Sequence, residues 1–156
     1  MNILALDLGT KCGYASAKNS GVFNLKPSTH ESTGQRYQTF ARLLREYMSI
    51  HLIDFVVYEE VHAHIGVEAA HVYGGLMAIL QMICIERGVE YKGVSVQAIK
   101  KHATGKFNAD KKSMVKSAVL KFPKINVIDD NHADALHLLD YAISCFHPQT
   151  ALEWTP

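Results

Sequence analysis

Apolar residues at the start of the chain fall into short runs that are separated by polar turns. Residues 2–8 predict a buried strand that ends near Asp7, and a glycine-rich turn follows it. Residues 13–18 and 21–25 predict two more strands at close spacing. Because the connections are so short, these three strands are expected to form an antiparallel meander.

The middle of the chain alternates between helix and strand. Apolar residues recur at helical spacing over residues 35–51, so we predict a helix there. Residues 54–59 form a buried strand pattern that again ends on a carboxylate. A long apolar helix is predicted from about 67 to 87 and is stopped by Gly88, and residues 89–94 predict a fifth strand.

Three helices complete the predicted order βββαβαβααα. Ser95 can cap a short helix over residues 96–102, and Asp110 can cap the next one. The last helix is predicted from about 131 to 145, with an irregular tail beyond Pro148. A hairpin-rich start followed by strand–helix alternation predicts an α/β fold, a mixed five-stranded sheet with helices on both faces.

The composition suits one soluble domain that spans residues 1–156. Apolar residues make up 48% and charged residues 20% of the chain. Cys12, Cys84 and Cys145 are odd in number and far apart, which predicts reduced thiols and a cytoplasmic protein. We expect no signal peptide, no segment long enough to span a bilayer and therefore no membrane association.

The charge distribution is uneven although the net charge is only +1. Between Lys92 and Lys121, eight lysines accompany a single acid, Asp110. A basic segment set apart from most of the carboxylates is typical of enzymes that act on nucleic acids. A solvated lysine face on surface helices would give the same pattern, so the charge alone leaves both interpretations open.

Carboxylates stand at three points where they need partners. Asp7 and Glu59 each end an apolar strand, where an unpaired charge is costly to bury. Asp129, Asp130 and Asp134 open the last helix, and the latter two are four residues apart on one helical face. If the first and fourth strands are neighbours, a helix packed across the sheet edge would bring Asp134 to Asp7 and Glu59.

Converging carboxylates repel each other, and a hard divalent cation relieves that repulsion. Mg²⁺ prefers oxygen ligands, and two such ions about 3.5–4 Å apart can flank a scissile phosphate. A single aspartate after a strand is more often a turn residue, and paired aspartates suit any helix start. The indication of a phosphodiesterase therefore comes from the combination and order of these residues.

Four motifs follow one another along nearly the whole chain. Residues 7–14 give D-x-G-x-x-x-G-Y, residues 57–61 end a strand on Glu-Glu-Val, and residues 133–136 read A-D-A-L. Residues 99–111 form a basic segment with a central glycine. Together they resemble the RuvC-type Holliday junction resolvases, which implies a ribonuclease H-like fold.

The resemblance also implies an activity and a set of site residues. It implies a metal-dependent endonuclease that cleaves Holliday junctions or other branched DNA in recombination and repair, with two Mg²⁺ or Mn²⁺ ions per site. The residues that match its metal ligands are Asp7, Glu59 and Asp134. The residues that match its active-site or phosphate-contacting lysines are Lys100 and Lys111, with Lys101 and Lys112 as the register alternatives.

The chain departs from the family pattern at two site positions. The family has Asp or His three residues before its last aspartate, where this chain has Asn131. Asp130 carries a full charge and is favoured as fourth ligand, Asn131 is the alternative, and Asp129 is expected to cap the helix or face solvent. His62 replaces the base-stacking aromatic residue and is kept as a DNA contact.

Other histidines and the long helix leave alternatives open. His62 and His64 lack further ligands at zinc spacing. His132 is expected either to assist proton transfer beside the acidic cluster or to be an ordinary surface residue at a helix start. The small residues of the helix over 67–87 match the helix through which family members form homodimers, although a buried helix would look the same.

Two other functions remain open from the sequence. One is a ribonuclease H-like nuclease of broader specificity for branched DNA or RNA. The other is a non-catalytic nucleic-acid-binding member of the same fold. The retained carboxylates favour an enzyme, and metal-dependent cleavage separates it from a binding protein.

Overall fold

The computed structural model describes residues 1–62 and 66–146, so His64 and the tail beyond Pro148 lie outside the described residues. The strands are β1 (Ile3–Asp7), β2 (Lys11–Ser16), β3 (Ser20–Asn24), β4 (Phe55–Glu60) and β5 (Glu90–Ser95). The helices are α1 (Gln35–His51), α2 (Val67–Arg87), α3 (Val96–Thr104), α4 (Lys111–Lys121) and α5 (Asp130–Phe146). The predicted order of elements is confirmed.

The five strands form one mixed sheet in the order β3-β2-β1-β4-β5. The meander β1–β2–β3 is antiparallel, whereas β4 runs parallel to both β1 and β5. Leu6 of β1 is aligned with Tyr58 of β4, so the next residues of the two strands are Asp7 and Glu59. The condition stated from the sequence is therefore met, because both carboxylates leave the sheet at the same edge.

Each face of the sheet has its own core. Alternate residues of a strand point to opposite faces, and β1 divides accordingly. Leu4 and Leu6 join the core built with α1 and α2, which includes Phe40 and Leu80. Ala5 and its neighbours on the other face pack with α3, α4 and α5. This second layer is what brings the last helix, with its aspartates, against the sheet.

The start of α5 is pressed against β2 at Gly13. A Cβ atom placed on Gly13 would lie 2.0 Å from the Asn131 carbonyl oxygen and 3.2 Å from the Ala135 Cβ. Only glycine permits this approach, since real Cβ atoms do not come so close to backbone. Gly13 is also aligned with Asp7 across the β1–β2 ladder. The close approach therefore fixes the first turn of α5 beside Asp7.

His132 is a buried residue, so of the two alternatives for it the ordinary surface residue at a helix start is wrong. Its Nδ1 accepts a hydrogen bond from the Ile128 N–H at 3.2 Å, and its Nε2 lies 2.9 Å from Ser20 Oγ. Since Nδ1 accepts, the proton is on Nε2 and is donated to Ser20. Burial lowers the pKa of His132, which keeps the ring neutral. Both ring nitrogens are engaged in hydrogen bonds with groups outside the carboxylate cluster, which does not favour a role for His132 in proton transfer.

The helix α2 corrects the expectation that no segment is long enough to cross a membrane. By length and composition alone it passes that test, because its charged residues, Glu68, Glu86 and Arg87, stand only at its ends. Only 33% of its most apolar stretch is buried inside the protein, although Leu76 and Leu80 lie in the core. One such helix is weak evidence for a membrane, because the core helix of a soluble protein passes the same test.

Candidate active site

Three carboxylates from three separate elements meet at the edge where β1 and β4 end. Burial raises the pKa of Asp7 well above its usual range, and the charges of Glu59 and Asp134 raise it further. Burial also raises the pKa of Asp134, with Glu59 and Asp130 adding to the effect, to about 7. The pKa of Glu59 is raised by burial. The three groups therefore lie in one electrostatic environment that disfavours negative charge.

Two of the four candidate lysines supply positive charge to this edge. Lys100 of α3 lowers the pKa of both Glu59 and Asp134. Lys111, the first residue of α4, donates a hydrogen bond to Asp130 and lowers the pKa of that carboxyl group. These contacts place Lys100 and Lys111 beside the carboxylates.

The register alternatives lie differently. Lys101 holds its ammonium group 4.5 Å from the centre of the Phe107 ring, a cation–π contact outside the carboxylate cluster. Lys112 is exposed. Neither lysine is among the charges that act on Asp7, Glu59 or Asp134.

The two aspartates at the start of α5 have different roles. Asp129 caps the helix, whereas Asp130 belongs with the carboxylates of the site. Asp129 Oδ1 accepts a hydrogen bond from the His132 N–H at 3.0 Å, which caps the helix as the sequence indicated. The Asn131 side-chain amide donates to Asp129 Oδ2 at 3.4 Å. Asp130 instead acts electrostatically on Asp7 and Asp134. Of the two candidates for a fourth ligand, Asp130 thus belongs to the carboxylate cluster.

Tyr73 of α2 supports the site and was missed by sequence reasoning. Its hydroxyl donates to the Glu59 carbonyl oxygen at 3.0 Å and accepts from the Val61 N–H at 3.2 Å. These bonds satisfy the backbone where β4 ends and hold the Glu59 backbone in place. The sequence offered no signal, because a tyrosine in an apolar helix is typical of a core. Nearby, His62 is exposed, with Nε2 3.8 Å from Glu60 Oε2.

The donor set suits a hard divalent cation, since Asp7, Glu59, Asp130 and Asp134 offer carboxylate oxygens and the alternative Asn131 offers an amide oxygen. As the side chains stand, no three His, Cys, Asp or Glu residues in 1–62 and 66–146 are arranged to hold a metal ion together. The fit is therefore one of chemistry, because a cation would offset the burial and the mutual repulsion that raise the pKa values of Asp7 and Asp134. The ligand assignment stays a prediction.

We expect the wild-type protein in chelator to lose stability relative to Asp134→Asn as pH rises from about 4 to about 7. The pKa of Asp134 is about 7 in the folded protein against a usual 3.8, so in this window the folded state keeps a proton that the unfolded chain has lost. Rising pH then favours unfolding. Denaturant unfolding of both proteins across this range measures this difference, which isolates Asp134 because Asp7, His132 and His137 are present in both.

The matched control for this experiment is Asp54→Asn, because Asp54 is an exposed aspartate at the opposite end of the sheet. That variant should keep the wild-type pH dependence. If Asp134→Asn and the wild type lose stability equally as pH rises, Asp134 is not the group responsible.

This chain matches known proteins by its fold but not by its sequence. No family model and no curated protein sequence matches this chain. Solved structures do match: RuvC of Thermus thermophilus in complex with a Holliday junction substrate has a TM-score of 0.77 and 17% identity, over 97% of both chains. Another Thermus thermophilus RuvC structure has a TM-score of 0.73 and 18% identity, over 92% of this chain and 96% of that one.

A third match is the yeast mitochondrial Holliday junction resolvase Ydc2, with a TM-score of 0.57 and 14% identity, over 88% of this chain and 76% of that one. The chain therefore has a ribonuclease H-like α/β fold. Within that class, it has the fold of the RuvC-type Holliday junction resolvases. The resemblance stated from the four sequence motifs is confirmed at the level of the fold.

Proposed function

We propose that this protein is a metal-dependent endonuclease that cleaves Holliday junctions or closely related branched DNA. The observation that supports it most is the meeting of Asp7, Glu59 and Asp134 at one sheet edge, from β1, β4 and α5. The fold in which they meet is the one that known junction resolvases share. We also propose a cytoplasmic location, which fits three free cysteines.

The residues at this edge of the sheet have different proposed roles. Asp7, Glu59 and Asp134, with Asp130 as fourth ligand, would hold two Mg²⁺ or Mn²⁺ ions, which would supply positive charge to the phosphodiester during cleavage. Gly13 and Tyr73 position these carboxylates through the backbone of α5 and β4. The products would carry 5′-phosphate and 3′-hydroxyl ends.

The lysines of α3 and α4 would bind the DNA backbone. Lys100 and Lys111 are close enough to the carboxylates to contact a phosphate near the cleaved bond. Lys106 and Lys116 extend the positive charge along the exposed surface, which suits sequence-independent binding. His62 lies exposed beyond the end of β4 and would stack on a base at the branch point.

The exposed face of α2 fits a homodimer. Its large apolar residues Met82 and Ile85 are exposed to 46% and 70%. The small residues on the same face permit close approach of a second copy: Ala70, Gly74 and Ala78. Two active sites would then cut two strands of a four-way junction. Sedimentation at micromolar concentration should show a dimer, and a monomer would contradict this part of the proposal.

The proposed activity is tested on a panel of labelled substrates. With Mg²⁺, the wild type should cleave a synthetic four-way junction and leave a matched linear duplex intact, and a chelator should stop the reaction. A flap and an RNA–DNA hybrid complete the panel. Preferential cleavage of the hybrid would identify a broader ribonuclease H-like enzyme, and tight binding without cleavage would identify a binding protein.

Single alanine substitutions test which residue is the fourth ligand. We expect Asp130→Ala to need about tenfold more Mg²⁺ for half-maximal cleavage, because it removes a charged oxygen ligand. Asn131→Ala should be close to normal, since its amide is engaged with Asp129. The measurement is cleavage across a magnesium titration.

Asp129→Ala is the comparison variant in this set. It should need no extra Mg²⁺, although loss of the cap is expected to cost about 1 kcal/mol of stability. Rates are therefore compared at a temperature where all variants are folded. If Asn131→Ala is the variant that needs more metal, the family's three-residue spacing identifies the ligand and Asp130 does not.

A further inference from the structure

A cavity of about 610 Å³ opens beside the carboxylate edge. Its walls come from three places: the turn after β1, the start of α1 and the first turns of α2. The residues that matter to its chemistry are Thr10, Arg36, Gly66 and Tyr73. None of the carboxylates of the candidate active site lines it, so it is a separate feature.

Arg36 places a charge in this cavity without a counter-ion. Arg36 is only 9% exposed. Nε donates to the Thr33 carbonyl oxygen at 3.1 Å and Nη1 to Thr10 Oγ1 at 3.4 Å, both neutral acceptors. Within 1–62 and 66–146, Nη2 has no hydrogen-bond partner, and no carboxylate lies within ion-pair distance of the guanidinium. Among the described residues, Nη2 does not count as a buried atom without a partner, so it is accessible from the cavity, where an anion can bind it.

The start of α2 faces the same cavity. The N-cap residue Gly66 has no side chain to cap the helix, so within residues 1–62 and 66–146 no side-chain cap binds the first N–H groups of this 21-residue helix. Those N–H groups and the helix dipole favour an anion. Thr10 accepts from Arg36, which leaves its own O–H free to donate. Glu68 also lines the cavity, so an anion is favoured on the Arg36 side.

The cavity lies close to the residues that are proposed to act on the DNA. Thr10 lies three residues after Asp7, and the Tyr73 hydroxyl donates to the Glu59 carbonyl oxygen. The cavity is thus directly adjacent to the backbone of two candidate metal ligands. We infer that it binds a phosphate of the DNA strand that flanks the cleaved bond, with the Arg36 guanidinium as the principal donor. This inference rests on the proposed function, whose substrate it describes in more detail.

The test compares two arginines of α1. Arg36→Gln removes the cavity charge, and Arg42→Gln makes the same change at an exposed residue that pairs with Glu46. Binding of a four-way junction is measured by fluorescence anisotropy in chelator over a range of salt. Arg36→Gln should bind about tenfold more weakly and lower the slope of log affinity against log salt by about one unit. Arg42→Gln should match the wild type, and Arg36→Lys should restore part of the affinity.

A second variant covers the case in which Arg36→Gln does not fold, since Arg36 also bonds to Thr33 and Thr10. Val67 is the first residue of α2, lines the cavity and is 71% exposed. Val67→Glu brings a carboxylate to the cavity, whereas Val67→Gln has the same size without charge. Val67→Glu should bind the junction at least threefold more weakly than Val67→Gln. Equal affinities would overturn the inference.

Two further outcomes separate this inference from its alternatives. If inorganic phosphate raises the melting temperature of the wild type but Arg36→Gln keeps the wild-type salt slope for DNA, the cavity binds free phosphate and the DNA assignment is wrong. If the wild type cleaves the junction and Arg36→Gln binds it like Arg42→Gln, the inference fails while the proposed function stands. If no substrate in the panel is cleaved, the proposed function fails, whatever the salt slopes show.

Discussion

Asp7→Asn should reduce cleavage of a four-way junction by about three orders of magnitude or more, because charge stabilisation by a metal at a phosphodiester is worth several kcal/mol. The change keeps the shape of the side chain and removes its charge. Asp7 occupies the centre of the cluster, since Glu59, Asp130 and Asp134 all act on its pKa. No other single substitution at this edge should lower the rate more.

The same substitution should leave the fold intact and make it more stable in chelator. Burial and three neighbouring carboxylates raise the pKa of Asp7, so its charge opposes folding. Single-turnover cleavage, junction binding and thermal unfolding are measured on the same preparation, with Asp54→Asn as the control at an exposed carboxylate. If Asp7→Asn cleaves the junction at the wild-type rate in Mg²⁺, the proposed metal site is wrong.

Gly13→Ala should destabilise the protein by about 3 kcal/mol and abolish most of its activity. The new Cβ would lie 2.0 Å from the Asn131 carbonyl oxygen and 2.6 Å from the Asn131 carbonyl carbon. Both are backbone atoms, so the start of α5 has to move. That movement would separate Asp134 from Asp7 and Glu59, and activity should fall even in the molecules that remain folded.

The control for this prediction is Gly34→Ala, because Gly34 has an ordinary right-handed backbone conformation and a Cβ there would lie 3.7 Å from Ser32 Oγ, an ordinary contact. It should change stability by less than about 1 kcal/mol. Denaturant unfolding gives the stabilities, and cleavage at a temperature where both variants are folded gives the activities. A Gly13→Ala protein that keeps wild-type stability would show that β2 and α5 are not pressed together there.

Local sequence was enough to predict the elements and the ends of the key strands. Apolar runs that stop at Asp7 and Glu59 predict buried strands, because burial fixes both the extent and the alternation of a strand. The sequence predicted that those two carboxylates meet only on one condition. Their meeting depends on β1 and β4 being neighbours, which is decided by the packing of two helical layers onto the sheet.

The sequence did not predict which way side chains point or which residues they contact far away in the chain. Lys100 and Lys101 both fit the basic motif, and only the rotation of α3 against the sheet turns Lys100 to the carboxylates. His132 is buried because Ser20, 112 residues earlier, reaches its ring. Arg36 lies among polar residues in the sequence, so its burial in a cavity becomes apparent only when α1 and α2 are packed together.

The most direct test of the account is the binding of Mn²⁺, followed by the loss of the free-ion signal in electron paramagnetic resonance. It requires no knowledge of the DNA substrate. The wild type and Asp54→Asn should bind Mn²⁺ alike, whereas Asp7→Asn and Asp134→Asn should each bind it at least about tenfold more weakly. Equal binding by all four proteins would contradict the claim that the carboxylates at the β1–β4 edge form a metal site.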